Sequence, residues 1–248
     1  MAVDRIRLAR ALAAIATDSG TPAELPDRLC QTCVTVLPVD GVGVSLVSRE
    51  HSGGRALLGA SDSVSAQIEE LQFDLGEGPC ISAFGDGQPV LVADLRADDL
   101  HARWPMFTRA VQAIEAVAIF AFPLQLGAIG IGVLDCYRAR AGPLREVTEA
   151  LTVADAVTLA LLNLQARLNG GPGPAEGTEL FDLSWRDHAE VHQATGALAA
   201  QLDISTDEAL ARLRAYAFRH ARPLRVVAAD VMARRLQFEP NGDGSGRP

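Results

Sequence analysis

The chain contains no lysine among its 248 residues, so its 22 basic side chains are all arginines. A Walker loop needs a lysine at the β and γ phosphates, a protein kinase needs one on its third strand, and Schiff-base catalysis needs an amine. The sequence therefore excludes these three kinds of chemistry in their standard form. Any cationic site must instead use guanidinium groups, which bind phosphate in a bidentate manner and stack on bases.

Cysteine is also scarce, with only four in the chain. Cys30 and Cys33 have the spacing of half a zinc site or of a redox pair, but they fall in a predicted helix, so we expect buried structural thiols. His188 and His192 share a helix face without further ligands or an HExxH pattern. The GxSxG pattern of a serine hydrolase is missing too. The sequence thus predicts no metal site and no catalytic site, and the protein is not expected to be an enzyme.

Long apolar runs are missing from the sequence as well. We find no stretch that approaches the roughly 20 apolar residues needed to cross a bilayer. The N-terminus carries charges at Asp4, Arg5, Arg7 and Arg10, unlike a signal peptide. Because the cysteines look unpaired, a reducing compartment fits them. These features predict a cytoplasmic protein with no membrane partner.

A run rich in glycine and proline divides the chain. Residues 169–184 contain the sequence GGPGP and are predicted to form a flexible linker. They separate a first domain, residues 1–168, from a second, residues 185–239. Residues 240–248 are rich in glycine and are predicted to be a disordered tail.

Charge is distributed unevenly between the two domains. Residues 1–184 carry 13 arginines against 23 acidic residues, whereas residues 185–238 carry 8 against 6. Residues 212–235 contain seven arginines, and Asp230 is the only acidic residue among them. Such a run can neutralise phosphates, although a solvated helix face gives the same pattern.

The second domain has the apolar spacing of three short helices. The first repeats apolar residues at steps of three and four and ends near Asp203. Ser205 and Glu208 form a capping-box pattern that starts the second helix. That helix should end before Pro223, because proline disfavours helical backbone in the residue before it. A third helix begins near Leu224, and the three are expected to enclose one small core.

Residues 190–236 resemble an ANTAR domain, the RNA-binding output module of many bacterial transcription antiterminators. The matching positions are Ala194, Gly196, Ile204, Ser205, Asp207, Glu208, Ala209, Leu213, Arg214, Ala217, Val227 and Ala228. Many members of that family carry a lysine just before the first-helix glycine, where this chain has Thr195. The loss of that charge implies a weaker RNA binder.

Arginines cluster around the predicted junction of the last two helices, and this clustering suggests where RNA would bind. The candidate RNA-binding residues are Thr195, Arg214, Arg219, His220, Arg222 and Arg225. We expect the arginines to hold phosphates or to stack on loop bases. Thr195 is expected at an exposed helix position, where its hydroxyl could donate a hydrogen bond to a phosphate or a base.

The first domain reads as an α+β domain with a central, mostly antiparallel sheet flanked by helices. Its short segments rich in β-branched residues are residues 41–47, 55–60, 89–92, 116–123 and 128–137. Flanking helices are predicted at residues 5–17 and 144–168.

Several motifs of this domain, LGEGPCISAF, PVLVADLR, RWPMF and FAFPLQLGAIGIGVLDCYR, resemble a GAF domain of the kind fused to ANTAR outputs in actinobacteria. GAF domains hold a small ligand against a six-stranded sheet or dimerise, and they are rarely enzymes. The resemblance implies that Cys80, Trp104 and Phe122 line a ligand pocket. Without lysine the chain cannot carry the Asn-Lys-Phe-Asp signature of cyclic-nucleotide-binding members, and the sequence identifies no cofactor or ligand.

Together the two resemblances imply a GAF-ANTAR transcription antitermination regulator. Its GAF domain would sense a small ligand or a protein partner and control the binding of the ANTAR domain to paired RNA hairpins. Residues 144–168 carry more apolar positions than one sheet contact needs, which favours a homodimer. Two alternatives stay open, namely a protein-interaction or redox-sensing module and a DNA-binding helix-turn-helix regulator.

Overall fold

The structure, a computed structural model, describes residues 24–47, 55–97, 99–169, 188–239 and 242–246. The helix predicted at residues 5–17 lies outside these ranges. Of the predicted linker at residues 169–184, only the first residue is described, and it is the last residue of a helix.

A five-stranded antiparallel sheet forms the centre of the first domain. Its strands are β1 (Gly41–Val47), β2 (Arg55–Ala60), β3 (Val90–Val92), β4 (Ala118–Leu126) and β5 (Ile129–Arg138). They lie in the order β2-β1-β5-β4-β3, and every neighbouring pair is antiparallel. The prediction of an α+β domain with an antiparallel sheet is confirmed.

Helices cover both faces of this sheet. They are α1 (Leu25–Val36), α2 (Ser63–Leu75), α3 (Pro79–Asp86), α4 (Leu100–Arg103), α5 (Pro105–Ala110) and α6 (Val147–Asn169). Because successive side chains of a strand point to opposite faces, β4 contributes to two separate cores. Phe120 and Phe122 pack with residues of α1 and α6, whereas Ile119 and Ala121 pack with residues of α2, α3 and α5.

Local signals fix both ends of α2. The carboxylate of Asp62 accepts a hydrogen bond from the backbone N–H of Ser65 at 2.7 Å, which satisfies a free donor of the first turn. The helix ends at Gly76, whose φ of 68° lies in the left-handed region that glycine adopts without strain. These ends determine which residues lie on the last turn of α2.

Helix α6 corrects one expectation drawn from the sequence. Its residues Val147–Ala166 form a stretch of 20 with a mean hydropathy of 1.5, which is long and apolar enough to cross a membrane. The side chains of Val153, Val157 and Leu161 are buried against the sheet, as in the core helix of a globular domain. The stretch escapes a search for apolar runs because Glu149 and Asp155 interrupt it.

Three helices form the second domain, as predicted. They are α7 (Ala189–Leu202), α8 (Thr206–Arg219) and α9 (Leu224–Met232). The hydroxyl of Ser205 accepts a hydrogen bond from the backbone N–H of Glu208 at 3.1 Å, so the predicted cap is present. Pro223 stands immediately before α9.

A short hairpin follows the three helices. Strand β6 (Leu236–Glu239) pairs antiparallel with β7 (Gly242–Gly246). Five of the nine residues in the predicted tail, 242–246, thus form strand β7. Backbone hydrogen bonds to β6 hold this glycine-rich segment, and β6 places the buried side chains of Leu236 and Phe238 in the core of the helices.

Candidate functional site

The turn between α8 and α9 brings four of the predicted RNA-binding residues together. Arg219 and His220 are exposed at the end of α8, Arg222 is partly buried, and Arg225 is exposed in the first turn of α9. These four residues lie within seven positions of the chain. We call Arg219, His220, Arg222 and Arg225 the arginine junction.

Backbone contacts give the arginine junction its shape. The N–H of Arg222 donates to the carbonyl of Ala217 at 2.9 Å, and Ala221 adopts a positive φ of 48°. This left-handed conformation is unfavourable for alanine, so the surrounding contacts must stabilise the turn. The ring of His220 lies 4.1 Å from the ring of Tyr216, measured between centroids.

One acidic residue lies beside the arginine junction. Asp230 forms an ion pair with Arg222 and a second one with Arg235, the latter at 2.7 Å. Hydrogen bonds from Arg222 and then from Arg235 lower the pKa of the Asp230 carboxyl below its usual value. Asp230 is therefore ionised at neutral pH and offsets part of the positive charge.

Arg214, on α8, contacts the first domain. Its Nε and Nη2 atoms donate to the backbone carbonyl of Phe73 at 3.1 and 2.7 Å. The guanidinium carbon also lies 5.7 Å from the centroid of the Phe73 ring. Burial, followed by the nearby charge of Arg55, lowers the pKa of Arg214 to about 10. The Nε and Nη2 donors of Arg214 are thus used in hydrogen bonds within the protein.

Thr195 is buried, and the prediction of an exposed position is wrong. Only 4% of its surface is accessible, and its hydroxyl donates to the carbonyl of Val191 at 2.7 Å. Val191, Thr195 and Leu198 follow helical spacing on the inner face of α7, and a threonine fits there because it bonds its own helix. Gly196 is exposed instead, and apart from the neighbouring backbone of its own helix, no heavy atom of the described residues lies within 4 Å of a Cβ built on it.

The three residues predicted to line a ligand pocket are not brought together. Cys80 and Trp104 lie in the core next to α2 and α3, where the indole N–H of Trp104 donates to the hydroxyl of Ser82 at 3.0 Å. Phe122 belongs to the core on the opposite face of the sheet. Alternation along β4 separates the residues, so one pocket cannot contain all three.

A buried polar cluster that sequence reasoning missed lies beside Cys80. Arg55 on β2 forms an ion pair with Glu69 on α2, and its Nη2 atom lies 4.0 Å from Oδ2 of Asp135 on β5. Gln72 donates from its side-chain amide to Oδ2 of Asp135 at 2.8 Å. We call Arg55, Glu69, Gln72 and Asp135 the buried polar cluster. Asp135 could have indicated this cluster from the sequence, because it is the only charged residue in the apolar strand segment 129–137.

The surroundings of Asp135 in the buried polar cluster favour its protonated form. Burial, and then the negative charge of Glu69, raise the pKa of Asp135 well above its usual value. A neutral Asp135 leaves one positive charge on Arg55 opposite one negative charge on Glu69. The pair is compensated, as a buried ion pair must be.

The same region contains the donor set of a possible metal site. Ligand atoms of Glu69, Cys80 and Asp135 lie within 4.8 Å of one another. However, Arg55 already forms the ion pair with Glu69, and burial raises the pKa of the Cys80 thiol well above its usual value. A guanidinium and a protonated thiol oppose cation binding, so these residues do not fit a metal ion.

The cavity next to this cluster is small. It has essentially no space for even one water molecule, whereas ordinary small-molecule pockets have roughly 300 to 1,000 Å³. Its lining residues are Gly43, Ser65, Ile68, Glu69, Ile119, Asp135, Cys136 and Tyr137. Oε1 of Glu69 and Oδ1 of Asp135 have no hydrogen-bond partner among the described residues. In this structure the cavity therefore has no room for a small-molecule ligand.

Comparisons with known proteins match both halves of the chain. A family model described as GAF domain matches residues 19–162, and one described as ANTAR domain matches residues 184–232. No curated protein gives a significant match.

Solved structures resemble the first domain. The GAF domain of a phosphoenolpyruvate-protein phosphotransferase from Coxiella burnetii is 20% identical, with a TM-score of 0.52 over 67% of this chain and 96% of that one. The corresponding Acinetobacter domain is 14% identical, with a TM-score of 0.48 over 67% and 97%. A free methionine-R-sulfoxide reductase from Neisseria meningitidis is 15% identical, with a TM-score of 0.47 over 64% and 89%. At 20% identity, the similarity to the Coxiella burnetii domain indicates the fold alone.

Proposed function

This chain belongs to the GAF domain family and carries an ANTAR domain, and on that premise we propose that it controls transcription termination by binding paired hairpins in nascent RNA. ANTAR domains are RNA-binding antitermination modules, and GAF domains sense ligands. The pairing of the two is a regulatory architecture. The finer proposal is that the GAF domain controls the access of RNA to the ANTAR domain.

The arginine junction is the observation that carries this proposal. Arg219 and Arg225 are exposed on either side of one turn, and His220 adds an aromatic ring between them. Guanidinium groups contact phosphates in a bidentate manner, and both guanidinium and imidazole planes stack on unpaired bases. A hairpin loop offers both kinds of partner within a few nucleotides.

The thiol geometry does not favour the redox alternative. All four cysteines are free and buried. Burial raises the pKa of Cys33 to about 12 and moves the pKa values of Cys30, Cys80 and Cys136 well above the usual range. Reactive cysteines need the opposite environment, with exposure and a stabilised thiolate. We therefore propose a binding protein of the cytoplasm rather than an enzyme or a redox sensor.

Pairing of two copies through α6 is part of the proposal. Leu151 and Leu159 are exposed by 40% and 56%, on the side of α6 away from the sheet. Two ANTAR domains held side by side would bind two hairpins with a higher apparent affinity, because the second contact becomes intramolecular.

The test is a titration of the purified full chain with a fluorescently labelled RNA that contains two hairpins. A duplex DNA of equal charge serves as the comparison, at several salt concentrations. Tighter binding to the hairpin RNA supports the proposal. Equal affinity for both nucleic acids would contradict it, and a preference for the duplex would favour the DNA-binding alternative.

A further inference from the structure

Helix α2 contacts two different parts of the protein near its C-terminal end. Glu69 and Gln72 face the buried polar cluster inside the GAF domain. Phe73 and Asp74, which come next in the chain, face the ANTAR domain. One helix therefore connects the interior of the GAF domain with the surface of the output domain.

Phe73 is built into the core of the ANTAR domain. Its surface is only 2% exposed, and it packs with Val191, Leu213 and Leu224 of the three C-terminal helices. Its ring stacks on the ring of His188, with centroids 3.8 Å apart and planes 6° from parallel. The ring of His192 approaches it edge-on at 6.0 Å. The GAF domain thus supplies a core residue to its neighbour.

Polar contacts surround this aromatic anchor. The carbonyl of Phe73 accepts both hydrogen bonds of Arg214. Asp74 accepts a hydrogen bond from the backbone N–H of Leu224 and lies within the electrostatic reach of Arg214 and Arg225. A Cβ on Gly76 would come within 2.7 Å of Nη1 of Arg214, so the glycine that ends α2 also makes room for the guanidinium.

We infer that the end of α2 is a latch that holds Arg214 away from RNA and keeps the ANTAR domain in a closed, weakly binding form. The latch consists of Phe73, Asp74 and Gly76 on the GAF side, with Arg214 and the start of α9 on the ANTAR side. This inference rests on the proposed function, because the group that the latch withholds is one that would otherwise contact a phosphate.

The latch offers Arg214 the same kind of acceptor oxygens that an RNA phosphate would offer. The last carbonyls of a helix carry partial negative charge and lack helical donors. Here such a carbonyl, together with the neighbouring Asp74 carboxylate, presents acceptor oxygens to Arg214, as a phosphate group would. An intramolecular acceptor has the advantage of a high effective concentration, so RNA must compete with it.

The buried polar cluster provides a route for control of the latch. Gln72 accepts a hydrogen bond from the backbone N–H of Cys80 at 2.8 Å while it donates to Asp135. A signal that rearranges these contacts would shift or rotate α2, and Phe73 and Asp74 would move with it. Helix α2 would then link the buried polar cluster to the latch. A ligand can shift the position of α2 only if it binds more tightly to the protein with α2 in one position than in the other.

The test uses full-length variants, because the ANTAR core includes Phe73 and the isolated domain would lose it. Phe73→Ala should open the latch, and Phe84→Ala is the matched control, since it shortens a partly buried phenylalanine elsewhere in the GAF domain. Asp74→Ala is a second opening variant that takes no apolar side chain from the core, in case Phe73→Ala fails to fold. Hydrogen exchange at the amide of Leu224 reports the opening independently of RNA.

We expect Phe73→Ala to increase the affinity for the two-hairpin RNA by at least about fivefold, the lower limit of ordinary coupling between sites. Exchange at Leu224 should rise in the same variant, and Phe84→Ala should change neither quantity. Arg214→Ala should have little effect in the wild-type background but should remove the gain when combined with Phe73→Ala, because only the open form exposes Arg214.

Different failures have different meanings. If exchange at Leu224 rises while all variants bind RNA equally well, the latch is wrong and the proposed function stands. Unchanged exchange in both Phe73→Ala and Asp74→Ala would also overturn the latch. If the opened variants bind no RNA at all, the proposed function fails, and the inhibitory role of the contact fails with it.

Discussion

Arg222 and Asp230 form an ion pair that connects the turn after α8 with the last part of α9. Asp230 also binds Arg235, so one carboxylate restrains two of the arginines near the candidate RNA surface. The positive charge available to RNA is therefore smaller than a count of arginines suggests.

Replacement of this carboxylate should strengthen the interaction with RNA. Asp230→Asn keeps the shape and one acceptor oxygen but removes the negative charge beside Arg222 and Arg235. We expect the dependence of log affinity on log salt to steepen by about one unit, equivalent to one further phosphate contact. Fluorescence anisotropy at a series of salt concentrations measures this slope. An unchanged slope in a folded variant would place these arginines outside the RNA interface.

Asp135 makes the stability of the GAF domain depend on pH. Because its pKa is raised in the folded protein, the folded state holds a proton that the unfolded chain releases above about pH 4. The contribution of Asp135 to the free energy of unfolding is therefore fully present below its pKa in the unfolded chain. It is lost as pH rises towards the pKa of Asp135 in the folded protein, at up to about 1.4 kcal/mol per pH unit.

Asp135→Asn imitates the protonated carboxyl and should remove this loss. Relative to wild type, the variant should gain in free energy of unfolding as pH rises from 4 to 7. Urea denaturation at several pH values measures the difference. Asp155→Asn is the control, because Asp155 is exposed on α6 and should leave the pH dependence unchanged. Parallel pH profiles for wild type and Asp135→Asn would show that Asp135 is ionised in the folded protein.

The burial of Thr195 reverses an expectation drawn from the sequence. Thr195→Lys cannot add an RNA contact without placing an ammonium group in the core of the ANTAR domain, so it should lower the free energy of unfolding by more than about 2 kcal/mol. Thr195→Val keeps the volume and should cost less than about 1 kcal/mol. Thermal or urea unfolding distinguishes the two. Equal stability of both variants would mean that Thr195 faces solvent.

The proposed pairing of two copies predicts a sensitive position on α6. Leu159→Glu should weaken the dimer at least about tenfold, because a charged group would be buried at the interface. Sedimentation velocity measures the change. Leu126→Glu is the matched control, since Leu126 is equally exposed at the tip of the β4–β5 hairpin. A wild-type chain that stays monomeric at micromolar concentration would contradict the pairing.

Local signals in the sequence were sufficient for most of the secondary structure. The cap at Ser205 and the proline at position 223 act within a few residues, so they predict the ends of α8 and α9 correctly. The side of each helix or strand that packs into the core is harder to predict. Phe122 and Thr195 lie on elements that were recognised, but which side of a strand or helix packs inward depends on neighbours that are distant in sequence.

The contact between Phe73 and Arg214 shows why part of the site could not be predicted. The two residues are 141 positions apart, and each has an ordinary local explanation, one as a core aromatic and the other as a solvated arginine. The buried polar cluster is similar, because Arg55, Glu69 and Asp135 come from three different elements. Only the tertiary arrangement of α2 against both the sheet and α8 brings such residues together.

The most direct test of RNA binding at the arginine junction is the salt dependence of hairpin affinity in Arg225→Ala. Arg140→Ala is the control, because it removes the same charge from an exposed position in the GAF domain. We predict that Arg225→Ala weakens binding to all hairpin RNAs alike and lowers the salt slope by about one unit, whereas Arg140→Ala changes neither. Identical affinities and slopes for Arg225→Ala and the wild type would contradict the assignment of RNA binding to the turn between α8 and α9.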